Sequence, residues 1–411
     1  MHLLKQREIS EMKYSLNIHN IDSNIFYTEY LLKKLITVNI HTLVNNDEAD
    51  FILISICDIT EIGYLKKLRQ QYPNKKIIVG GHLAVFFKLL ILFADYVNVG
   101  QGFEFFKCQS EDDIKKLSSI YYKNKDKVII PSVLIEWELC PIVQLSCKRY
   151  SYWAAIGCKN KCSFCLTSWT NKQQTNNQHR IKKAYEAIRK GYSLKLIANE
   201  GYDNMDRKEL VKDMLLTDFI KQDKINCPQI RIGVEFATEE NRRKNGKYFT
   251  DAQFIQAVTR AREENILLQC FCIAGMDNKQ DWINFIDLIP DYYKLSPKLV
   301  FKFTNLEYQM FTPMYKRRFD LNIDNYLDGQ FGIDIFETSR LRMKNFKTFR
   351  VKYPAHAVWR TGLSSCTNID EFNRIWELRN TKDIMEVSKV INESKVLEND
   401  YSDEVKFWYK Q

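Results

Sequence analysis

The residues with the clearest chemical potential are Gly157-Cys158-Lys159-Asn160-Lys161-Cys162-Ser163-Phe164-Cys165, placed directly after an apolar run at 152–156 that reads as a strand. Thiolates spaced by three and then two residues on one loop suit three corners of a four-iron cluster. No fourth Cys or His stands at a regular spacing, so one iron would stay open to an outside group, which implies chemistry rather than scaffolding. Two plainer readings remain open: a structural zinc knuckle, which would want a fourth ligand, and three incidental core cysteines. Glu200, in Ala198-Asn199-Glu200-Gly201, and Glu235, in Ile232-Gly233-Val234-Glu235, end candidate strands as ligand-binding or ordinary carboxylates. Arg242, Arg243 and Lys247 follow as a basic cluster, either functional or solvated. Cys270 and Cys272 share one strand face by the period of two and read either as small core residues or as ligands of an extra cluster.

These residues need elements whose ends converge. Candidate strands at 152–156, 194–198, 229–236, 267–273 and 299–304 alternate with helical stretches at about 179–190, 207–222, 251–264 and 279–289. Such an array suits a barrel or partial barrel, with reactive groups at the carboxyl ends of its strands. Between Glu200 and Gln229 one helix but no further strand is legible, so the barrel is either irregular or shortened there. Upstream, strands at 51–56, 76–79 and 96–99 alternate with helices at 59–71 and 83–93, predicting a parallel sheet covered by helices. Gly80-Gly81 and Gly100/Gly102 fall just after strand ends, where open α/β sheets bind ligands. The expected fold class is therefore α/β. A doubly wound parallel sheet at 1–110 is followed by a linker at 111–147, a partial (β/α) barrel at 148–320 and a mixed C-terminal region at 321–411.

With 411 residues, 45% hydrophobic and 27% charged, the chain has material for two or three packed domains, and a disordered class is excluded. Eleven cysteines without a signal peptide at 1–11 suit a reducing cytoplasm rather than a disulfide framework. The longest apolar run, 83–94, is interrupted by Lys88 and falls short of the roughly 20 residues of a bilayer span, so no membrane association is expected. The net charge of +10 is a mild excess. Lys316-Arg317-Arg318, interleaved with Tyr308, Phe311, Tyr315 and Phe319, would suit a phosphate-bearing or nucleic-acid substrate, and equally a solvated basic turn. A peptide or small metabolite is also open.

The cysteine loop, with Phe164 before its last cysteine, resembles the signature of the radical SAM superfamily. The resemblance implies that Cys158, Cys162 and Cys165 ligate a [4Fe-4S] cluster whose fourth iron is chelated by S-adenosylmethionine. It further implies contacts to that cofactor from Asn199 and Glu200 (methionyl amino group), Glu235 (ribose), a basic residue such as Arg243 (carboxylate) and Gly275 (adenine), where CFCIAG ends. Thr312-Pro313 is similar to a segment after the last barrel strand. The activity implied is reductive cleavage to a 5′-deoxyadenosyl radical that abstracts a substrate hydrogen, with a flavodoxin or ferredoxin as electron donor. Ile77-Ile78-Val79-Gly80-Gly81-His82 and Gly100-Gln101-Gly102-Phe103-Glu104 look like the cobalamin-binding domain that precedes the barrel in one branch, where radical methylation is a typical reaction. The Asp-x-His-x-x-Gly element that supplies a lower cobalt ligand is missing. The domain therefore either holds a corrinoid without it or keeps the fold alone. The alternative from another class is a non-catalytic zinc- or cluster-binding protein.

Overall fold

The structure is a computed structural model that describes residues 11–18, 25–100, 102–130, 211–221, 228–306, 312–315, 354–399 and 405–407, with shorter pieces at 143–146, 149–151, 155–156, 158, 160–165, 174–175, 193–194, 223, 323–324 and 326–328. The chain forms two compact units, one of Met1–Val143, Ser364–Ile369 and Asp400–Gln411, the other of Gln144–Leu363 and Asp370–Asn399.

In the first unit, β1 (Lys13–Ile18), β2 (Thr42–Leu43), β3 (Phe51–Ser55), β4 (Lys76–Gly80), β5 (Tyr96–Asn98) and β6 (Ile120–Tyr121) form one sheet in the order β2-β1-β3-β4-β5-β6. The first five run parallel and β6 is antiparallel to β5. All five residues of β3 are buried, as expected for a strand covered on both faces. The connecting helices are α1 (Ile25–Val38), α2 (Ile62–Gln71) and α3 (Phe87–Leu90). Ile62, Leu65 and Leu68 of α2 recur every third residue and are buried. Asp95, ahead of β5, accepts from the Ile77 amide at 2.8 Å and from Arg69 Nη2 at 2.5 Å, tying α2 to the sheet.

The segment expected as a linker is part of this unit. There α4 (Glu111–Lys116) starts at Ser110, whose hydroxyl accepts from the Asp113 amide, and buries Ile114, while β6 extends the sheet. Next, β7 (Val128–Ile130) pairs in parallel with Val405–Phe407 as a separate two-stranded sheet, so part of the expected C-terminal region belongs to the first unit. The reason is that short strands complete their hydrogen bonds with partners remote in sequence, which local periodicity does not reveal.

In the second unit, β8 (Val143–Ser146) neighbours β9 (Arg149–Ser151), which pairs in parallel with β12 (Ser193–Leu194). Of the stretch expected as the first barrel strand, the described part is β10 (Ala155–Ile156), which pairs antiparallel with β11 (Gln174–Thr175). The strands β13 (Val211–Asp213), β14 (Gln229–Glu235), β15 (Leu267–Ala274) and β16 (Leu299–Asn305) form a parallel sheet in that order. The strand illegible between Glu200 and Gln229 is β13, only three residues long, and α5 (Leu216–Lys221) follows it inside the predicted helix. The further helices are α6 (Glu239–Lys244), α7 (Asp251–Glu263) and α8 (Lys279–Leu295), then α9 (Pro354–Ser364), α10 (Ile369–Trp376) and α11 (Ile384–Ser394).

The two faces of this sheet differ in chemistry. Ile230, Ile232 and Val234 of β14 are buried and alternate with the half-buried Gln229, Arg231, Gly233 and Glu235. Phe301 and Phe303 of β16 meet Phe285 and Trp282 of α8 at ring distances of 5.6 and 5.3 Å, so this row faces the helices. Cys270 and Cys272 are in register with Phe301 and Phe303 and are buried in the same layer. By the two-residue period, Arg231, Gly233, Gln269, Phe271 and Lys302 face the barrel interior.

Candidate functional site

Cys158, Cys162 and Cys165 are free thiols on the loop beyond β10, with Cys162 buried and the other two half-buried. The loop is anchored on the turn that ends α6. The Ser163 amide donates to the Asn245 carbonyl at 3.0 Å, its hydroxyl bonds Asn245 Oδ1 at 2.6 Å, and the Cys162 thiol donates to the Gly246 carbonyl at 3.7 Å. The Met314 amide, next to Thr312-Pro313, donates to the Ser163 carbonyl at 3.0 Å, and the Phe164 ring meets Phe236 edge-on at 5.5 Å. Gly246 has φ +78°, and a Cβ there would lie 2.6 Å from the Lys161 carbonyl oxygen, so the approach of the two loops requires glycine.

Burial pushes the Cys162 thiol up to about 11; Lys247 pulls it down, while Cys165, Glu235 and Cys158 raise it. The three thiols thus share one electrostatic environment. Among the described residues no group of three or more His, Cys, Asp or Glu is placed to hold a single metal ion. The donor set, three free thiols on one anchored loop, fits a larger polynuclear cluster, whose thiolates bind separate corners instead of converging on one ion.

Beside this loop the end of β14 is strained. Glu235 has φ +69°, and the Phe236 amide donates to the Val234 carbonyl at 2.9 Å, which is a γ-turn centred on Glu235. The register with β15 shifts between Gly233 and Glu235. The turn keeps the Glu235 carboxylate over Gly233, where it meets Lys247 Nζ at 3.2 Å, and Lys247 also donates to the Gly233 carbonyl at 3.2 Å. A Cβ at Gly233 would collide with Glu235 Oε1 and come within 2.5 Å of Lys247 Nζ. Burial works against the Lys247 charge, yet Glu235 and then Cys162 hold its pKa above the ordinary lysine value. A buried ammonium and carboxylate side by side, next to three thiols, are suited to a zwitterionic ligand bound at the same place.

The remaining predicted residues divide. Arg243 is 69% exposed and pairs with Glu239 across one helical turn. Arg242 is buried, bonded to Asp251 and to the Phe236 carbonyl, and holds α6 in place. Of the basic cluster, only Lys247 reaches the thiols. Gly275 has φ +114° at the end of β15, where a Cβ would lie 3.2 Å from Leu306 Cβ. Asn199 and Glu200 lie outside the described residues, as do Lys316, Arg317 and Arg318. Asp277 adds to the residues named from the sequence. It is fully buried two residues beyond Gly275, accepts from Asn241 Nδ2 at 2.8 Å, and burial raises its pKa to about 6. Its only sequence signal is an acid just past a strand-end glycine.

In the first unit the order 2-1-3-4-5 places a switch point between β1 and β3, and ligands of such sheets bind at the carboxyl edge. Gly81, with φ +97°, lies so close to the end of β3 that a Cβ would be 2.9 Å from the Ile56 amide nitrogen. A Cβ at Gly80 would meet nothing within 4 Å, so the space beside the end of β4 is open. Among the described residues no helix is long and apolar enough to cross a membrane.

No protein-family model matches the sequence, and a search of curated proteins finds no match. Solved structures do match. The cobalamin-dependent S-adenosylmethionine radical enzyme OxsB, with aqua-cobalamin and S-adenosylmethionine bound, aligns with a TM-score of 0.56 at 12% identity, covering 95% of this chain and 79% of that one. The chain has the fold of cobalamin-dependent radical SAM enzymes. TsrM from Kitasatospora setae, a radical S-adenosylmethionine methyltransferase with tryptophan substrate and a SAM analog bound, aligns with a TM-score of 0.55 at 13% identity, covering 75% of this chain and 76% of that one. At these identities the likeness extends to the α/β fold alone.

Proposed function

We propose that this protein is a radical SAM enzyme of the cobalamin-dependent type. The observation that carries the reading is the placement of Cys158, Cys162 and Cys165 against the Glu235–Lys247 pair at the carboxyl edge of the barrel sheet. A [4Fe-4S] cluster on the three thiols would supply the electron that cleaves S-adenosylmethionine to methionine and a 5′-deoxyadenosyl radical. The protein's own part is to bind and orient. Lys247 receives the methionine carboxylate, Glu235 accepts from the ribose hydroxyls, and the backbone at Gly275 ends β15 beside the adenine. Asn199 and Glu200 complete the set at the ammonium group. Phe236, packed edge-on against Phe164, covers that side of the cysteine loop.

The N-terminal unit holds a corrinoid at its carboxyl edge, where Gly80 leaves open space and Gly81 lets the turn lie flat on β3. The matching fold supports this assignment. The reaction is hydrogen abstraction followed by methylation or another radical modification, driven by an electron from a flavodoxin or ferredoxin. The test is anaerobic purification with cluster reconstitution and added hydroxocobalamin. The reading expects a brown protein, an electron paramagnetic resonance signal of the reduced cluster that changes on adding S-adenosylmethionine, and corrinoid that stays with the chain through gel filtration. A colourless zinc protein would contradict the enzyme reading. Loss of corrinoid alone would contradict only the N-terminal assignment.

A further inference from the structure

Asp277 is a buried acid that the proposed cofactor site does not use. It stands past the end of β15, two residues beyond Gly275, and no part of it is exposed. One carboxyl oxygen, Oδ1, accepts from Asn241 Nδ2 at 2.8 Å, whereas Oδ2 is buried without a hydrogen-bond partner among the described residues. A half-satisfied buried carboxyl destabilises a fold relative to an apolar side chain of similar size. Packing alone therefore does not account for an acid here. Burial raises its pKa, while Asn241 and the backbone at Ala237 and Thr238 draw it down, so the carboxyl faces the start of α6.

What Asp277 holds leads on to the cysteine loop. Helix α6 has only six residues, so a tie near its start also places its end. One turn beyond Asn241 stands Asn245, whose amide and Nδ2 both donate to the Asn241 carbonyl, at 3.2 and 2.8 Å. Asn245 in turn holds Ser163 twice, accepting from its amide at 3.0 Å and from its hydroxyl at 2.6 Å. Ser163 lies directly after Cys162 and two residues before Cys165. The bonds Asp277–Asn241–Asn245–Ser163 thus run unbroken from the loop after β15 into the middle of the three thiols. Arg242 also ties α6, but to Asp251 and the Phe236 carbonyl, neither of which belongs to the loop after β15.

From this line of hydrogen bonds we infer that Asp277 is a positioning residue: through Asn241 and Asn245 it sets the place of the cysteine loop relative to the end of β15. Its meaning for catalysis, the alignment of a cluster with a ligand beside Gly275, rests on the proposed reaction. The placement of the loop does not, and it is testable without cluster or turnover.

The test is amide hydrogen exchange of the full-length protein before cluster reconstitution, read at the Ser163 amide. Asp277→Leu removes the acceptor and should speed exchange there roughly tenfold, the scale of one lost charge-assisted hydrogen bond. Asp277→Asn keeps an acceptor for Asn241 and should hold the parent rate. Asn241→Ala cuts the same bond from a half-buried position, where folding is less at risk, and should speed exchange as much. The double variant Asp277→Leu with Asn241→Ala should add nothing further, because both remove one bond. Lys244→Met, at a side chain 70% exposed on α6, should change nothing. In the reconstituted protein at equal iron content, Asp277→Leu should shift the electron paramagnetic resonance g-values of the reduced cluster, and Asp277→Asn should keep them. Unchanged Ser163 exchange in both Asp277→Leu and Asn241→Ala overturns the inference. So does an equal rise at the Leu268 amide, bonded to the Lys298 carbonyl at the sheet, since that marks a general loss of stability. A cluster spectrum that Asp277→Leu leaves unaltered overturns it as well. A protein that shows the exchange pattern yet forms no cluster would strike the proposed reaction and not the placement of the loop.

Discussion

Lys247 Nζ stands 3.2 Å from Glu235 Oε1 over the bare backbone of Gly233, and the two side chains are only 11% and 13% exposed. Breaking such a pair from one side leaves an uncompensated buried charge, whereas removing both partners does not. Glu235→Gln is expected to cost about 3 kcal/mol in denaturant unfolding, and Glu235→Gln with Lys247→Met less than that. A double-variant loss equal to the sum of the Glu235→Gln and Lys247→Met losses would mean that the pair is not coupled.

Gly233→Ala puts a methyl group where the pair now lies. The expected result is retention of iron with at least roughly tenfold weaker S-adenosylmethionine binding, the scale of one lost charge-assisted contact. Iron analysis and calorimetry on the same preparation read the two effects separately.

Gly246→Ala combines a left-handed backbone with a clash against the Lys161 carbonyl, which the cysteine loop cannot relieve without moving. A loss of about 1–2 kcal/mol in stability is expected, with less iron retained after reconstitution. Thermal unfolding with metal analysis checks both.

The fold and the cysteine loop were legible for different reasons. The buried strands around Ile52, Ile78 and Phe301 are apolar enough to be read from pattern, and the loop is marked by residue type. By contrast β1, with Lys13, Ser15 and Asn17 among its six residues, lacks an apolar run, and β13 is too short to show a period. Both are strands because neighbours supply their hydrogen bonds. Glu235 was legible as a strand-end acid, but its γ-turn was not, since a positive φ at glutamate is imposed by packing. Lys247 could not be singled out from Arg242 and Arg243, because only the path of the chain after α6 turns it toward the thiols.

Asp277 gives a pH dependence with a definite sign. Its folded pKa of about 6 lies above the ordinary 3.8, so the fold favours the protonated acid. That contribution is fully present below about pH 4, is lost as pH climbs toward about 6, and is constant above. Asp277→Asn should remove this part of the slope, on the order of 3 kcal/mol in full, while keeping an acceptor for Asn241. Unfolding at pH 4.5 and 7, the sampling points of about that window, measures it.

Cys270 and Cys272 lie in the layer between sheet and helices, away from the interior face. Cys272→Ala is expected to lower stability by about 1 kcal/mol and to leave iron content unchanged. Metal analysis of this variant beside Cys162→Ala separates core from ligand cysteines.

The most direct test of the central claim is anaerobic reduction of the reconstituted protein with S-adenosylmethionine, followed by chromatographic assay of 5′-deoxyadenosine. The account predicts about four irons per chain, as three thiolates around an open iron imply, and product that disappears in the Cys158/Cys162/Cys165→Ala variant. A full cluster that yields no 5′-deoxyadenosine, or product that survives removal of the three cysteines, would contradict it.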